Sequence, residues 1–339
     1  MARVMVMMSG GVDSSVAAAL LRDQGHDVTG VTLKLWGGES DSGCCSVADV
    51  EDARRVAAQL GLPHYVFNFS DAFEADVVDP YVDAYAAGET PNPCVECNRS
   101  MKFGRVLERA RQLDYDFIAT GHHARVIETD EGPALARAVD LAKDQSYVLY
   151  MLGSEELART LFPVGELTKA DVRERARALG LRTAEKRESM DVCFITRGGR
   201  EAFLGARIPR RAGTIIDDQG AVLGAHDGID AFTIGQRRGL GVAVGERRYV
   251  TDIAAGTGTV MVGTRDALLQ ESLRLRDVRG SRTPPRPMLV QFRAHGTPVA
   301  ATLDGDDVVF ASPQPRVSPG QVVAFYDGDV CCGGGIVAE

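Results

Sequence analysis

The sequence predicts an α/β fold built on a parallel sheet and followed by β-rich modules, on three observations. Short apolar runs alternate with helix-length amphipathic patterns through the first half. A glycine pair, Gly10-Gly11, stands where the first apolar run meets the first helical pattern. Beyond about Ile195 the pattern changes to short β-branched runs punctuated by glycine and proline.

Residues 4–8 read as a buried strand, and 13–24 as a helix with Val16, Ala19 and Leu20 on one face. A second strand is expected over 28–35. The pattern then predicts a helix over 46–60, with Ser46 as its cap and Gly61 as its stop. Next come a strand at 64–69, helices at 71–86 and 99–113, and a strand at 117–120. Strands separated by helices of this length need right-handed crossovers, which makes the sheet parallel and covers both its faces. Ligands of such sheets sit beyond the carboxyl ends of the strands. Later runs at 213–216, 240–244, 249–253, 258–262, 288–292, 299–303, 308–311 and 321–326 suggest small antiparallel barrels. Boundaries near 205 and 265 divide the chain into 1–205, 206–265 and 266–339.

The bulk numbers narrow the class. The 339 residues predict more than one domain. The N-terminal apolar run is too short for a signal peptide, and no run reaches the ~20 residues of a membrane span. Seven cysteines, an odd number, argue for reduced thiols over a secreted disulfide framework, so a cytoplasmic protein is expected. The net charge of −9 would repel a polyanion, yet arginines cluster locally. Residues 97–111, 197–211 and 274–293 are the basic stretches. Composition therefore permits a nucleic-acid partner without requiring one.

Three strings carry chemistry. In Ser9-Gly10-Gly11-Val12-Asp13-Ser14-Ser15, two glycines let the backbone approach an anion, and the following helix points its amides at it. Serine hydroxyls add donors, Asp13 is a candidate metal ligand, and no Walker lysine is present. In Thr90-Pro91-Asn92-Pro93-Cys94-Val95-Glu96-Cys97-Asn98, prolines stiffen a loop presenting two thiols ahead of a basic helix. An ordinary thiol, with a pKa near ~8.5, is only about 3% thiolate at pH 7, so a helix N-terminus near Cys97 would activate it. Structural zinc is a competing reading of the C-x-x-C pair, but no second pair completes four ligands. In Lys186-Arg187-Glu188-Ser189-Met190-Asp191-Val192-Cys193-Phe194-Ile195, Cys193 follows two cations. On its own such a cysteine is more often an inert core residue.

The first string resembles the pyrophosphate loop of the ATP pyrophosphatases. Together with Thr120-Gly121-His122-His123-Ala124-Arg125, Lys143-Asp144-Gln145-Ser146-Tyr147 and Phe232-Thr233-Ile234-Gly235-Gln236-Arg237-Arg238-Gly239-Leu240-Gly241, the set is similar to the bacterial tRNA-specific 2-thiouridylases (MnmA/TrmU family), in order along nearly the whole chain. The resemblance implies an ATP pyrophosphatase domain, a small central β-rich domain and a C-terminal antiparallel β-barrel that contacts tRNA. It implies thiolation at C2 of the wobble uridine with ATP and Mg2+, and a cysteine desulfurase or sulfur relay as sulfur donor. Under it Met7, Met8, Ser9, Gly10, Gly11, Val12, Asp13, Ser14, Leu33 and Gly121 would bind the nucleotide. Cys193 would carry a persulfide and Cys97 would attack it. Asn92, Pro93 and Cys94 would surround the target base in the tRNA anticodon stem-loop. His122, Lys143, Asp144, Gln145, Arg293, Ala294 and Gln321 would face the tRNA. A stacked wobble base must also be turned outward before C2 is reachable.

One position departs from the pattern. Many members carry Asp where this chain has Cys94. With Cys94, Cys97 and Cys193 all thiols, the variant is expected to hold a [4Fe–4S] cluster on those three, slightly ahead of the persulfide route. The pairs Cys44-Cys45 and Cys331-Cys332, and His123, are expected to be structural. Three rivals remain at this point: an amidotransferase-like synthetase sharing the loop, a non-catalytic tRNA-binding or iron–sulfur protein, and a thiolase of another RNA position or of the mitochondrial branch of the family.

Overall fold

The run Arg3–Met7 is apolar at four successive positions, and Val4 through Met7 are buried at 7% exposure or less, as a strand covered on both faces requires. In the computed structural model, which describes residues 1–36, 46–187, 192–195, 199–242, 245–294 and 296–338, it is the middle of a five-stranded parallel sheet. The order is His64–Asn68, Asp27–Lys34, Arg3–Met7, Phe117–Ala119, Thr160–Leu161. Every neighbouring pair is parallel. Helices Val12–Asp23, Val47–Leu60 and Lys169–Ala178 pack one face through Val16, Val56 and Val172. Ser46 caps the second of these and Gly61 ends it in the left-handed conformation, as the sequence predicts.

The opposite face is covered by two helical rods. Ser70–Phe73 runs through Glu74–Val78 into Asp79–Ala86, and Pro93–Glu96 runs through Cys97–Arg105 into Val106–Gln112. The middle segment of each widens into π-type turns, a geometry that often re-aims side chains at functional sites. The second rod begins six residues earlier than the pattern predicts. Asn92 accepts a bond from the Cys94 amide at 3.1 Å, and Pro93 occupies the first turn. Cys97 therefore lies one turn inside the rod, not at its start, and it is buried at 7% exposure.

The C-terminal module is a closed six-stranded antiparallel barrel. Its strands Leu269–Gly280, Asp307–Pro315, Val299–Asp304, Met288–Gln291, Val322–Asp327 and Val330–Val337 pair in that order, and the last returns to the first. The hairpin Ala124–Thr129 and Gly132–Arg137 leaves the nucleotide domain to pair with Val330–Val337, joining the two sheets. The central module is smaller and differs from expectation. Tyr249–Ala254, Thr259–Gly263, Gly213–Ile216 and Val222–His226 form a four-stranded sheet whose middle pair is parallel. The expected strand at 240–244 is absent over 240–242, where glycines with positive φ bend the chain at Gly239 and Gly241. Cys44, Cys45, residues 188–191, Arg197, residues 243–244 and His295 lie outside the described residues.

Candidate active site

The nucleotide loop leaves the carboxyl end of Arg3–Met7 and turns at Gly10, whose φ is +73°. A Cβ at Gly10 would lie 2.3 Å from the Asp49 carbonyl oxygen, so both the conformation and the close approach demand glycine. No side chain caps the following helix at Gly11, which leaves its first-turn amides open to an anion. Ser14 and Ser15 turn their hydroxyls back onto the Gly11 carbonyl at 3.2 and 2.7 Å and brace the turn. Ser9 is exposed, with its backbone N–H directed to the Ser14 hydroxyl at 3.2 Å.

Met7, Met8, Leu33 and Gly121 flank this loop at the carboxyl ends of three adjacent strands. Gly121 packs against the loop itself: a Cβ there would meet the Ser14 amide nitrogen at 2.5 Å and the Asp13 carbonyl carbon at 2.7 Å. Both are backbone atoms, so the loop must move. Gly121→Ala is expected to cost about 1–3 kcal/mol of stability and raise KM for ATP at least tenfold, read by thermal unfolding and steady-state kinetics. An unchanged KM would show the loop to be indifferent to this contact.

Two lysines distant in sequence supply the cations that the loop lacks. Lys169, in the first turn of Lys169–Ala178, places its ammonium 2.8 and 2.7 Å from the two Asp13 carboxylate oxygens. His123 Nε2 lies 3.1 Å from the same carboxylate. Burial works to raise the Asp13 carboxyl, but bonds to His123 and Lys169 outweigh it and hold the pKa below the ordinary range. Lys186 donates to the Gly10 carbonyl at 3.0 Å, to Asp49 at 2.6 Å and to Asp52 at 2.7 Å. Burial opposes its charge, yet the two aspartates raise its pKa. One ammonium thus ties the nucleotide loop to the segment that leads to Cys193.

Two of the thiols share an aromatic core on the same side of the sheet. Cys97 belongs to the core there, and Val192, Cys193 and Ile195 pack against that core. Phe194 anchors the segment, with ring centroids 6.1 Å from Trp36, 5.7 Å from Phe73, 5.2 Å from Tyr81 and 5.3 Å from Phe203. Tyr81 in turn lies within electrostatic reach of Cys94; burial first, then Tyr85 and Cys94, push its pKa upward. Cys94 is exposed, Cys193 half-buried and Cys97 buried.

Among the described residues no three His, Cys, Asp or Glu side chains form a group able to hold a metal ion. Cys94 and Cys97 stand one turn apart on the rod, the first exposed and the second buried.

The expected tRNA-facing residues divide into two groups. Arg293 and Ala294 are exposed, whereas Asn92, His122, Lys143, Gln145 and Gln321 are half-buried and Pro93 is buried. Asp144, expected on the RNA side, is buried: it accepts bonds from Arg137, the Ala138 amide, and the amide and hydroxyl of Ser146. Arg137 reaches on to Gln291 of the barrel at 2.8 Å and lies over the Tyr326 ring at 3.7 Å. The Asp144 carboxylate is thereby committed to bracing the domains. Gln145 exchanges two bonds with His123, which places His123, expected to be merely structural, beside Asp13. His122 sits between Phe103 and Phe162; burial, then Lys102 and His123, push its pKa well down and keep it neutral. Cys331 and Cys332 are core residues, each at 1% exposure.

A glycine-turned loop at the carboxyl edge of a parallel sheet, open to an anion and backed by two lysines, defines an ATP-using α/β enzyme of the pyrophosphatase kind. Residues 2–197 match the family described as the tRNA methyl transferase HUP domain, 201–264 the tRNA methyl transferase PRC-barrel domain, and 272–337 the aminomethyltransferase beta-barrel domain. The chain is 49% identical to the tRNA-specific 2-thiouridylase MnmA of Roseiflexus sp. (strain RS-1), covering 100% of both chains. It is 48% identical to the protein of that name from Corynebacterium kroppenstedtii, over 99% of this chain and 95% of that one. The match to the Chloroflexus aggregans protein of that name is also 48%, over 100% and 99%. The chain belongs to the tRNA-specific 2-thiouridylase family and is an enzyme of it.

Proposed function

We propose that the enzyme replaces the C2 oxygen of the wobble uridine of tRNA with sulfur, using ATP. Uracil oxygen is a poor leaving group, so O2 attacks the α-phosphorus of ATP, pyrophosphate departs, and the oxygen becomes part of an AMP leaving group. The open amides at Gly11, with Lys169 and Lys186 behind them, suit the loop to hold the departing pyrophosphate. Mg2+ would arrive with the phosphates, for which Asp13 is the candidate carboxylate, and would neutralise their charge.

The sulfur step needs two thiols. A desulfurase or sulfur relay loads Cys193 as a persulfide. Its outer sulfur attacks C2, AMP leaves with the C2–O bond, and a Cys193–S–S–C2 adduct remains. The Cys97 thiolate then attacks Cys193 Sγ, releasing 2-thiouridine and leaving a Cys97–Cys193 disulfide for a thiol reductant. The observation that carries this reading is the packing of Cys193 against the core that contains Cys97, beside a nucleotide loop to which Lys186 ties the same segment. Its need for tRNA, ATP and thiol reductant together points to the cytoplasm, and among the described residues no helix is long and apolar enough to cross a membrane.

Mass spectrometry of tRNA nucleosides, after incubation with ATP and a persulfide donor, tests it. Equal amounts of AMP and 2-thiouridine are expected; sulfur on another nucleoside, or none, rejects the reading.

The domain edges near 205 and 265 are part of the proposal, as is a tRNA track formed by Asn92, His122, Lys143, Gln145, Arg293 and Ala294. Arginines extend it. Many in the basic stretches are already paired, including Arg99 with Glu96, Arg105 with Asp76 and Arg111 with Glu155. Arg237 and Arg238 are exposed on the central domain. Replacing both by Ala is expected to weaken tRNA binding roughly tenfold at moderate salt and flatten its salt dependence, with ATP affinity unchanged. Filter binding across a salt series reads this, and an unaltered slope sinks it.

A further inference from the structure

The barrel closes where its first strand, Leu269–Gly280, meets its last, Val330–Val337, with Arg276 opposite Ile336 and Leu275 opposite Val337. That seam lies directly on the loop that starts the cysteine-bearing rod. Arg276 forms a two-pronged pair with Glu89, its two terminal nitrogens at 2.9 and 2.6 Å from the carboxylate oxygens. One residue on, the Thr90 amide donates to the Pro319 carbonyl at 2.8 Å. The Gln321 side-chain amide donates to the Thr90 carbonyl. Gly320, at φ +84°, comes so close that a Cβ would lie 3.1 Å from the Pro91 nitrogen. The seam holds itself together beneath this contact, since the Gly320 amide donates to the Val337 carbonyl at 2.9 Å and the Val337 amide to the Gln321 carbonyl at 2.8 Å.

A second strut reaches the same rod from its other side. Asn98, next to Cys97, donates to the Val148 carbonyl at 2.9 Å, and the neighbouring Tyr147 hydroxyl donates to the barrel carbonyl of Val322 at 2.9 Å. Asn98 and Tyr147 are almost wholly buried. The rod carrying both thiols is therefore gripped by the barrel ahead of Asn92 and braced against it beyond Cys97.

We infer that the barrel seam is a positioning clamp for the sulfur chemistry, with Arg276 and Gln321 as positioning residues acting through Glu89 and Thr90 on the Asn92 cap, and so on Cys94 and Cys97. The clamp rests on the proposed thiolation for its purpose, though its mechanical part does not depend on it. Gln321 then serves the site by holding the Thr90 backbone carbonyl. RNA seated on the barrel would also press on the element that aims the resolving thiol, linking recognition to chemistry.

The test uses full-length enzyme carrying Arg276→Met, which keeps the apolar stem, the milder Glu89→Gln, and the exchanged pair Glu89→Arg/Arg276→Glu. Alkylation of Cys94 and Cys97 by iodoacetamide, followed by peptide mass spectrometry without tRNA, reports thiol placement directly. Loss of one half-exposed two-pronged pair is expected to raise Cys97 alkylation about threefold to tenfold and lower kcat for thiolation by a similar factor. KM for tRNA should stay within about twofold, and the exchanged pair should recover part of both effects. Unchanged alkylation in both single variants overturns the clamp. So does a rise in KM for tRNA with kcat unaltered, which would make Arg276 a direct RNA contact. If the unmodified enzyme makes no 2-thiouridine, the functional reading fails while the alkylation comparison still judges the clamp.

Discussion

Cys97→Ser is expected to halt the enzyme after sulfur has reached the base, with AMP still released once per chain and free 2-thiouridine reduced roughly a thousandfold. A serine hydroxyl neither ionises near neutrality nor attacks a disulfide sulfur, so the Cys193–S–S–C2 adduct has no exit. The variant should accumulate a protein–tRNA conjugate that dissolves on adding dithiothreitol, seen as a reductant-sensitive band on denaturing gels. Cys193→Ser should lose thiolation to the same degree but form no conjugate, because no sulfur reaches the base. Neither change creates a large cavity, since the side chains are nearly isosteric, and far-UV dichroism should remain that of the parent chain. Cys94→Ala separates this route from one needing three equivalent sulfurs. Its thiol is exposed and sits one helical turn before Cys97, so the persulfide route predicts less than about tenfold loss. A loss as deep as that of Cys97→Ser would return all three thiols to the centre of the chemistry and reject the two-thiol scheme.

The parts of the site that are local in sequence were readable, and those assembled by the fold were not. The string of residues 9–15 betrays itself because a strand end, two glycines and a helix start must be contiguous to make the loop. Nothing local marks Lys169, and the string that contains Lys186 points to Cys193 and not to the loop. The two lysines lie 156 and 176 residues from the loop atoms they contact, and only packing of Lys169–Ala178 against the first helix brings the former to Asp13. His123 was set aside for the same reason, because its partner is 110 residues away. The rod's start was legible in principle: Asn92-Pro93 is a cap followed by a proline in the first turn, and the thiol placed at a helix entrance should have been Cys94. The strand Thr160–Leu161 has two residues and no periodicity to detect, while Leu269–Gly280 alternates charges with leucines that look like a solvated face. Parallel pairing inside the central module is a property of the crossover and leaves no trace in strand composition.

Lys169→Met is expected to suppress AMP formation at least about thirtyfold, the factor corresponding to loss of one charge-assisted bond of ~2 kcal/mol, with tRNA affinity unchanged. The argument begins with burial: Lys169 is 9% exposed, and its position is fixed twice over. Thr168 and Asp171 cap its helix reciprocally, and its own amide donates to Asp140 at 2.9 Å. The helix that carries the ammonium is therefore held in place beside the loop. Removing the ammonium leaves the Asp13 carboxylate partly desolvated with His123 as its remaining partner. The Asp13 pKa should climb back toward or above the ordinary value, because the burial that opposes its ionisation is then less well offset. Lys169→Arg can still pair both Asp13 oxygens, but its larger guanidinium must fit a position only 9% exposed, so rescue should be partial. The double change Asp13→Asn/Lys169→Met distinguishes a structural strut from a pair that acts in the chemistry. With neither charge stranded, denaturant unfolding should return to within about 1 kcal/mol of the parent, whereas AMP formation should stay low. Recovery of activity along with stability would mean that the pair merely props the loop open, and the pyrophosphate would then have to be neutralised by groups other than Lys169.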